Sequence, residues 1–157
     1  MKASKEMLPL SEAVTHLLEE CRMVLPGIQA LFGFQLIAVF NQTFGEKLTP
    51  TEQRFHLAAI GLVALAVALV MAPAAFHRQT SPQAATQNFI TIATRLLLLS
   101  MFPLMLGISL DFYLIARLIL NNTLISLFLA IVLLIVFATL WFLLPQLRFM
   151  QKLLGWR

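Results

Sequence analysis

Charge is what this chain has least of. Only 11% of its 157 residues are Asp, Glu, Lys or Arg, whereas soluble domains carry about 25%. With 60% of the residues hydrophobic, a water-soluble globule is excluded, and the length suits one small membrane bundle. Cysteine is nearly missing as well: Cys21 stands alone, so an intrachain disulfide and a paired-cysteine metal site are both excluded. The sequence has no nucleophile elbow, no glycine-rich phosphate loop and no metalloprotease helix. The expectation is therefore a protein that is not an enzyme and needs no metal or cofactor. A basic stripe able to follow a phosphate backbone is also lacking. The formal charge of +4 collects at the ends of apolar runs, which suits membrane lipid as a partner and excludes nucleic acid. The first residues, MKASKEMLPLSEAVTH, are too polar for a secretory signal peptide.

What is present is a series of long apolar runs. Leu10, Ala13, Val14, Leu17, Leu18, Cys21 and Val24 recur at three-and-four spacing, with Ser11, Glu12, Thr15, His16, Glu19 and Arg22 opposite them. This predicts an amphipathic helix over about 10–25, too charged to span, lying on the membrane surface or packed under the bundle. Pro26 disfavours helical geometry at Leu25 and suits the first turn of a new helix. A bend is expected there, with the first span over about 26–44, ended by Gly45. Thr49-Pro50-Thr51-Glu52 forms a capping box with proline in the first turn. The second span follows over about 55–76. Its residues Gly61, Ala64, Ala68 and Ala72 lie on one face and are small enough for close backbone approach, so they are expected to make the tightest helix contact. Pro73 is placed to kink the end, and His77 and Arg78 mark the exit into a polar loop over 79–87.

The third span, about 88–118, is longer than a bilayer needs. At about 1.5 Å per residue it exceeds the roughly 30 Å hydrocarbon core and must tilt, protrude or break. Pro103 and Gly107 sit where a kink belongs. After the tight loop Asn121-Asn122-Thr123, the fourth span over about 124–144 is nearly featureless and should face lipid until Pro145 stops it. A basic amphipathic tail over 145–157 should follow the headgroups. The expected fold class is all-α: an integral membrane bundle of four transmembrane helices with an N-terminal amphipathic interfacial helix, in a single domain over 1–157. No internal repeat supports a transporter built from inverted halves.

Few residues in these runs carry chemistry. Asp111 is an ionisable group inside an apolar segment, where burying its charge is costly. It is either functional or a local cap or partner near the interface, with Arg117 on the same helix or a group on another helix as its neighbour. Glu19, Glu20 and Arg22 stand at the mouth of the first span, with His16 one turn before Glu20. This is either a vestibule that accepts protons and attracts cations or a solvated face with local ion pairs. Glu12, His16 and Glu20 have feasible metal spacing, but no second cluster supports a metal. Gln35 and Gln42, seven residues apart, share a face that lines a wet path or hydrogen-bonds between helices or subunits. Arg95 snorkels to the interface or pairs with Glu20.

Three segments belong together. Glu20-Cys21-Arg22 runs into Leu25-Pro26-Gly27-Ile28-Gln29-Ala30-Leu31-Phe32-Gly33-Phe34; Ala72-Pro73-Ala74-Ala75-Phe76-His77-Arg78 follows; and Asp111 comes late in the third span. Over about residues 15–115 the chain resembles a family of small uncharacterised bacterial four-helix membrane proteins with E-x-R-x-x-L-P-G-x-Q-x-L-F-x-F and A-P-x-x-x-H-R motifs. Some members are labelled sodium:proton antiporters. The resemblance implies Glu20, Arg22, Pro26, Gly27, Gln29, His77, Arg78 and Asp111 as residues of interest. The chain departs from the pattern at Gly33 and Gln35.

The function expected is an ion-conducting or ion-exchanging membrane protein for protons or monovalent cations, acting as a homo-oligomer. Glu20 and Asp111 would carry charge at the two ends, Gln35 and Gln42 would line the path, and Arg22, Arg95, His16, His77 and Arg78 would tune it. The rival is a non-transporting structural or accessory subunit that binds lipid or a partner protein. The expected location is the bacterial inner membrane. With four spans, one side collects eight of the eleven Lys and Arg residues, and the side of Lys47, Arg54 and Arg117 collects three. The positive-inside rule then puts both termini in the cytoplasm. Single cysteines in the 45–51 loop should react with impermeant maleimide added outside the cell; reaction from the cytoplasmic side alone reverses the orientation.

Overall fold

A computed structural model describes residues 9–80 and 87–146. The described residues are helical almost throughout: α1 (Leu10–Val39), α2 (Gln42–Lys47), α3 (Pro50–Thr80), α4 (Gln87–Leu120) and α5 (Thr123–Ala138). Four helices are long and apolar enough to cross a membrane, over Leu10–Val39, Pro50–Gln79, Gln87–Leu120 and Thr123–Gln146. The all-α four-span bundle is therefore the fold, and the protein is a multi-pass membrane protein.

The separate helix expected to start at Pro26 is not formed. Interfacial segment and first span are one 30-residue helix with Pro26 inside it. Proline removes only its own bond to the Arg22 carbonyl. A full break in hydrocarbon would strand several backbone groups without water. The same argument carries α3 through Pro73 and α4 through Pro103. The expected first span also ends early, because α1 stops at Val39 and a separate six-residue helix, α2, crosses to α3.

The α3 start is built as its capping box requires. The Thr49 amide and hydroxyl both donate to Glu52 Oε2 at 2.8 Å, and the Glu52 amide donates to Thr49 Oγ1 at 3.3 Å. At the α4–α5 turn Asn121 takes the left-handed conformation, φ 48°. Asn122 caps α5 by accepting from the amides of Leu124 and Ile125. The fourth span keeps most of its surface outward, and its last turns widen to a π-helix over Thr139–Leu143 before a 3-10 turn at Leu144–Gln146. Pro145 has no N–H for the Trp141 carbonyl and its ring crowds that group, so the preceding turn opens. The tail beyond Gln146 and the loop residues 81–86 lie outside the described residues.

The core forms where α1, α3 and α4 meet: Val14, Leu17, Cys21 and Ile28 pack with Val63, Val70, Phe89 and Ala93. Helices α3 and α4 make the most extensive contact. The α3 face that makes it is Ala59, Val63, Ala66 and Val70, each at most 2% exposed. Of the face expected there, Gly61, Ala64 and Ala68 point outward and Ala72 is half-buried, and a side chain added at Gly61 would meet nothing. In lipid both faces are apolar, so small size permits close approach without selecting a partner. The close approach comes from α4: a Cβ on Gly107 would lie 3.0 Å from Val63 Cγ2 and 3.2 Å from the Ala59 carbonyl oxygen.

Gly107→Leu should therefore overpack the α3–α4 seam and cost about 1–3 kcal/mol, read as a lower unfolding temperature in detergent. Ala68→Leu, on the outward face, should lower that temperature by less. Equal effects of the two substitutions would contradict the assignment of faces.

Candidate functional site

Three apolar faces end in polar residues at the same end of the bundle. On α1, Val14, Cys21 and Ile28 are buried at intervals of seven, and the next position is Gln35, 4% exposed. On α3 the buried face that runs through Ala59, Val63, Ala66 and Val70 begins with His56, 7% exposed. On α4 the face of Pro103 and Gly107 continues to Asp111 and Leu114. Helix register thus carries an amide, an imidazole and a carboxylate into one place.

They interlock there. His56 Nδ1 lies 3.0 Å from Asp111 Oδ1, and His56 Nε2 lies 3.0 Å from the Gln35 backbone carbonyl. Gln35 Nε2 donates to Asp111 Oδ2 at 2.5 Å. A carbonyl only accepts, so Nε2 carries a proton. The Nδ1–Oδ1 contact then needs one further proton between its two atoms. Placed on Nδ1 it makes an imidazolium–carboxylate pair, and placed on Oδ1 it makes a neutral imidazole and a carboxylic acid. Either way the pair is neutral overall. Without that proton, a lone pair on Nδ1 would face a carboxylate inside the bundle, a charge with too few partners.

The surroundings are mostly hydrocarbon. Gln35, His56 and Asp111 line a cavity of about 250 Å³ between α1 and α4, with Phe34, Phe44 and Leu114 among its other walls. His56 also borders a second cavity of about 390 Å³ on the side of Pro50, Gln53 and Arg54. The Phe44 ring of α2 sits 5.3 Å from the His56 ring and belongs to both cavities. Toward the helix ends, Arg117 lies 3.8 Å from Glu52 and donates to Asn121 Oδ1 at 3.0 Å. Arg117 is thus committed to Glu52, and the groups that meet Asp111 come from other helices. Among the described residues two buried side-chain polar atoms have no partner: Gln35 Oε1 and Ser109 Oγ.

Of the residues expected at a site, Gln35 and Asp111 come together and the others do not. Glu20 is exposed and is not among the residues lining the Asp111 cavity. It lies fifteen residues before Gln35 on one helix, about 22 Å along the axis. Gln42 is exposed on α2, so the expected Gln35–Gln42 stripe is broken where α1 ends. His16 meets Glu19 at 3.5 Å rather than Glu20. Arg22, Arg78 and Arg95 are exposed, and no ion pair joins Arg95 to Glu20 among the described residues. Pro26, Gly27 and Gln29 also face outward, and His77 packs its ring against Phe89 at 5.3 Å. Among the described residues no three His, Cys, Asp or Glu side chains cluster as metal ligands.

Sequence reasoning missed His56. A usable signal was there: His56 stands at the head of the series 56, 59, 63, 66, 70, the only titratable residue in it.

A protein-family model matches residues 10–145, and its description is a family of unknown function, DUF6328. No curated protein and no solved structure matches the chain. The match supports the expected resemblance at its coarser level, an uncharacterised family whose region here is all-helical with four membrane-length helices. Since the match runs through all of α1 to α5 and takes in Gln35, His56 and Asp111, the chain belongs to the family of unknown function DUF6328.

Proposed function

We propose that the protein moves protons or monovalent cations across the membrane by exchange, with Asp111 and His56 as the group that carries the proton. One observation carries this reading: the 3.0 Å contact between His56 Nδ1 and Asp111 Oδ1 inside helices of membrane length. The pair is neutral with its shared proton and negative without it. A negative site in hydrocarbon must recruit a cation, so proton and cation compete for one place. Asp111 keeps the role expected for it as charge carrier, His56 shares it at the same end, and the role expected for Glu20 at the other end is dropped. Exchange fits better than a standing pore, because the core below the site is filled by Ile28, Val63, Val70 and Phe89.

The same reading has both termini in the cytoplasm of a bacterial inner membrane, from the distribution of Lys and Arg. It has the protein acting as a homo-oligomer, with the outward Gly61–Ala64–Ala68 face able to admit a second helix closely. A non-catalytic role goes with it. One observation favours a second reading. The cluster draws on α1, α3 and α4, so it also clasps three helices, and an accessory subunit would need nothing more from it.

Flux separates the two readings. Protein in liposomes with an internal pH dye should move protons when a sodium or potassium gradient is imposed. Asp111→Asn keeps the shape and removes the charge, and should slow this by about an order of magnitude or more. Glu20→Gln should leave the rate close to wild type. Wild-type flux no greater than that of empty liposomes, at every pH and gradient, would leave only the clasp. Flux that survives Asp111→Asn would keep exchange and discard the site.

A further inference from the structure

We infer that the cavity between α1 and α4 binds a small protonated amine with an apolar body, which reaches it from the bilayer and displaces the proton shared by Asp111 and His56. The coupling to the proton rests on the exchange reading above; the binding does not.

Hydrogen-bonding capacity decides the ligand class. Both nitrogens of His56 are engaged, one by Asp111 and one by the Gln35 carbonyl. The Gln35 amide nitrogen is engaged by Asp111. The atom left wholly without a partner is an acceptor, Gln35 Oε1, on a side chain 4% exposed; the Asp111 oxygens keep spare lone pairs, and the second N–H of Gln35 Nε2 is the one donor left over. A buried acceptor without a donor is costly, so an occupant that donates gains more than it would elsewhere. This admits N–H and O–H donors and disfavours anions. The carboxylate then selects positive charge among the donors. A quaternary ammonium has charge and no N–H, so it leaves Gln35 Oε1 unpaired. A sodium or potassium ion can use the same oxygens but gains nothing from the apolar walls, so the amine is favoured over it.

The other walls set the body of the ligand. Phe34, Phe44, Leu114 and Ile115 are apolar, and aromatic faces tolerate a nearby cation. Phe34 is 72% and Ile115 55% exposed, and α1 and α4 touch less than either touches α3. The gap therefore opens sideways, where a membrane protein meets lipid chains. A volume of about 250 Å³ lies under the roughly 300–1,000 Å³ of sites for drug-sized ligands. One ring or a short chain fits.

The charges balance. Before binding, the pair holds one shared proton and is neutral. The ammonium enters with one positive charge, donating to Asp111 and Gln35 Oε1. The shared proton leaves to water through the second cavity, which His56 borders with Gln53 and Arg54. Loss of that proton leaves His56 neutral with its proton on Nε2 and Asp111 ionised against the ammonium, and the site is again neutral. At this end of the bundle the other charged or titratable groups are Glu46 and Lys47 on α2, Glu52 and Arg54 on α3, and Tyr113 and Arg117 on α4; His77 and Arg78 on α3, Arg95 on α4 and the charged first turns of α1 lie toward the other end. Glu52 and Arg117 are paired with each other, Arg54 faces the second cavity, and the last four turns of α1 carry none.

The test is calorimetric titration of the full chain in detergent with phenethylamine and with its N,N,N-trimethyl analogue, in two buffers of different ionisation enthalpy. Phenethylamine should bind with one proton released and with an affinity that rises about tenfold per pH unit. The trimethyl analogue should bind about tenfold more weakly. Gln35→Leu should erase that difference, and Asp111→Asn should abolish binding of both while circular dichroism and elution volume stay unchanged. If Asp111→Asn does not fold, Gln35→Leu carries the test. Absence of binding, equal affinity for the two compounds, binding without proton release, or indifference to Gln35→Leu each overturns the inference. Liposome flux without amine binding discards this inference and keeps exchange. Amine binding and proton release without flux keeps the amine site and discards exchange.

Discussion

One proton has to lie between His56 Nδ1 and Asp111 Oδ1, and the end of the bundle around it is arranged to keep it there. The two groups come from α3 and α4, the helices in most extensive contact, so their spacing is fixed by a seam closed over Gly107. The Gln35 carbonyl then fixes which nitrogen of His56 is left for Asp111. Gln35 does this from α1 with its backbone while its side chain holds the second carboxylate oxygen. Each member has a different number of ways to be satisfied, and Gln35 Oε1 is the atom of the set left without any partner. Such a set is worth most when complete, because the low dielectric that strengthens its bonds also penalises any member left alone.

That dependence explains which parts of the molecule could be read from the sequence. The spans were legible because length and apolarity are what the bilayer imposes. The α3 start was legible because a capping box satisfies its orphan amides locally, and Thr49 and Glu52 do so. The faces were not legible. In water an apolar stripe marks the buried side, but in lipid the Gly61–Ala64–Ala68 face and the Ala59–Val63–Ala66 face look alike to the solvent. The polar residues were the available guide. His56 begins one series and Gln35 ends the heptad-spaced series of Val14, Cys21 and Ile28, so the buried sides were marked by what is costly to leave in lipid. Pro26 misled for a related reason: in water a lost hydrogen bond is cheaply replaced at a break, and in hydrocarbon it is not.

The expected pathway takes Glu20 from its place at the mouth of a span and Gln42 from its spacing to Gln35, whereas it takes Asp111 from its position inside an apolar run. Only the last argument tracks a physical cost. Glu20 is exposed on a helix whose first turns are charged, so leaving it ionised costs little. Asp111 has no such outlet, and the chain supplies it with His56 and Gln35 instead. The difference between a charge at the edge of an apolar segment and one within it decides which is held by other helices.

The site lies at one end, and this bears on how anything could cross. Below Gln35, His56 and Asp111 the described core is Ile28, Val63, Val70, Phe89 and Ala93, with Cys21 further along. A hydrated ion has no polar partner through that layer, so a fixed pore in this conformation would meet a dehydration barrier with nothing to offset it. Movement past the layer requires the helices around it to shift. Three of them carry a proline inside the helix, Pro26 in α1, Pro73 in α3 and Pro103 in α4. Each frees one backbone carbonyl and locally weakens the ladder. In α1 and α4, which wall the cavity, the proline lies nine residues before Gln35 and eight before Asp111, about 12–14 Å along the axis in each case. The two helices that would have to part around an occupant are therefore both weakened at the same depth, while the α3–α4 seam at Gly107, which positions His56 against Asp111, lies between that depth and the site.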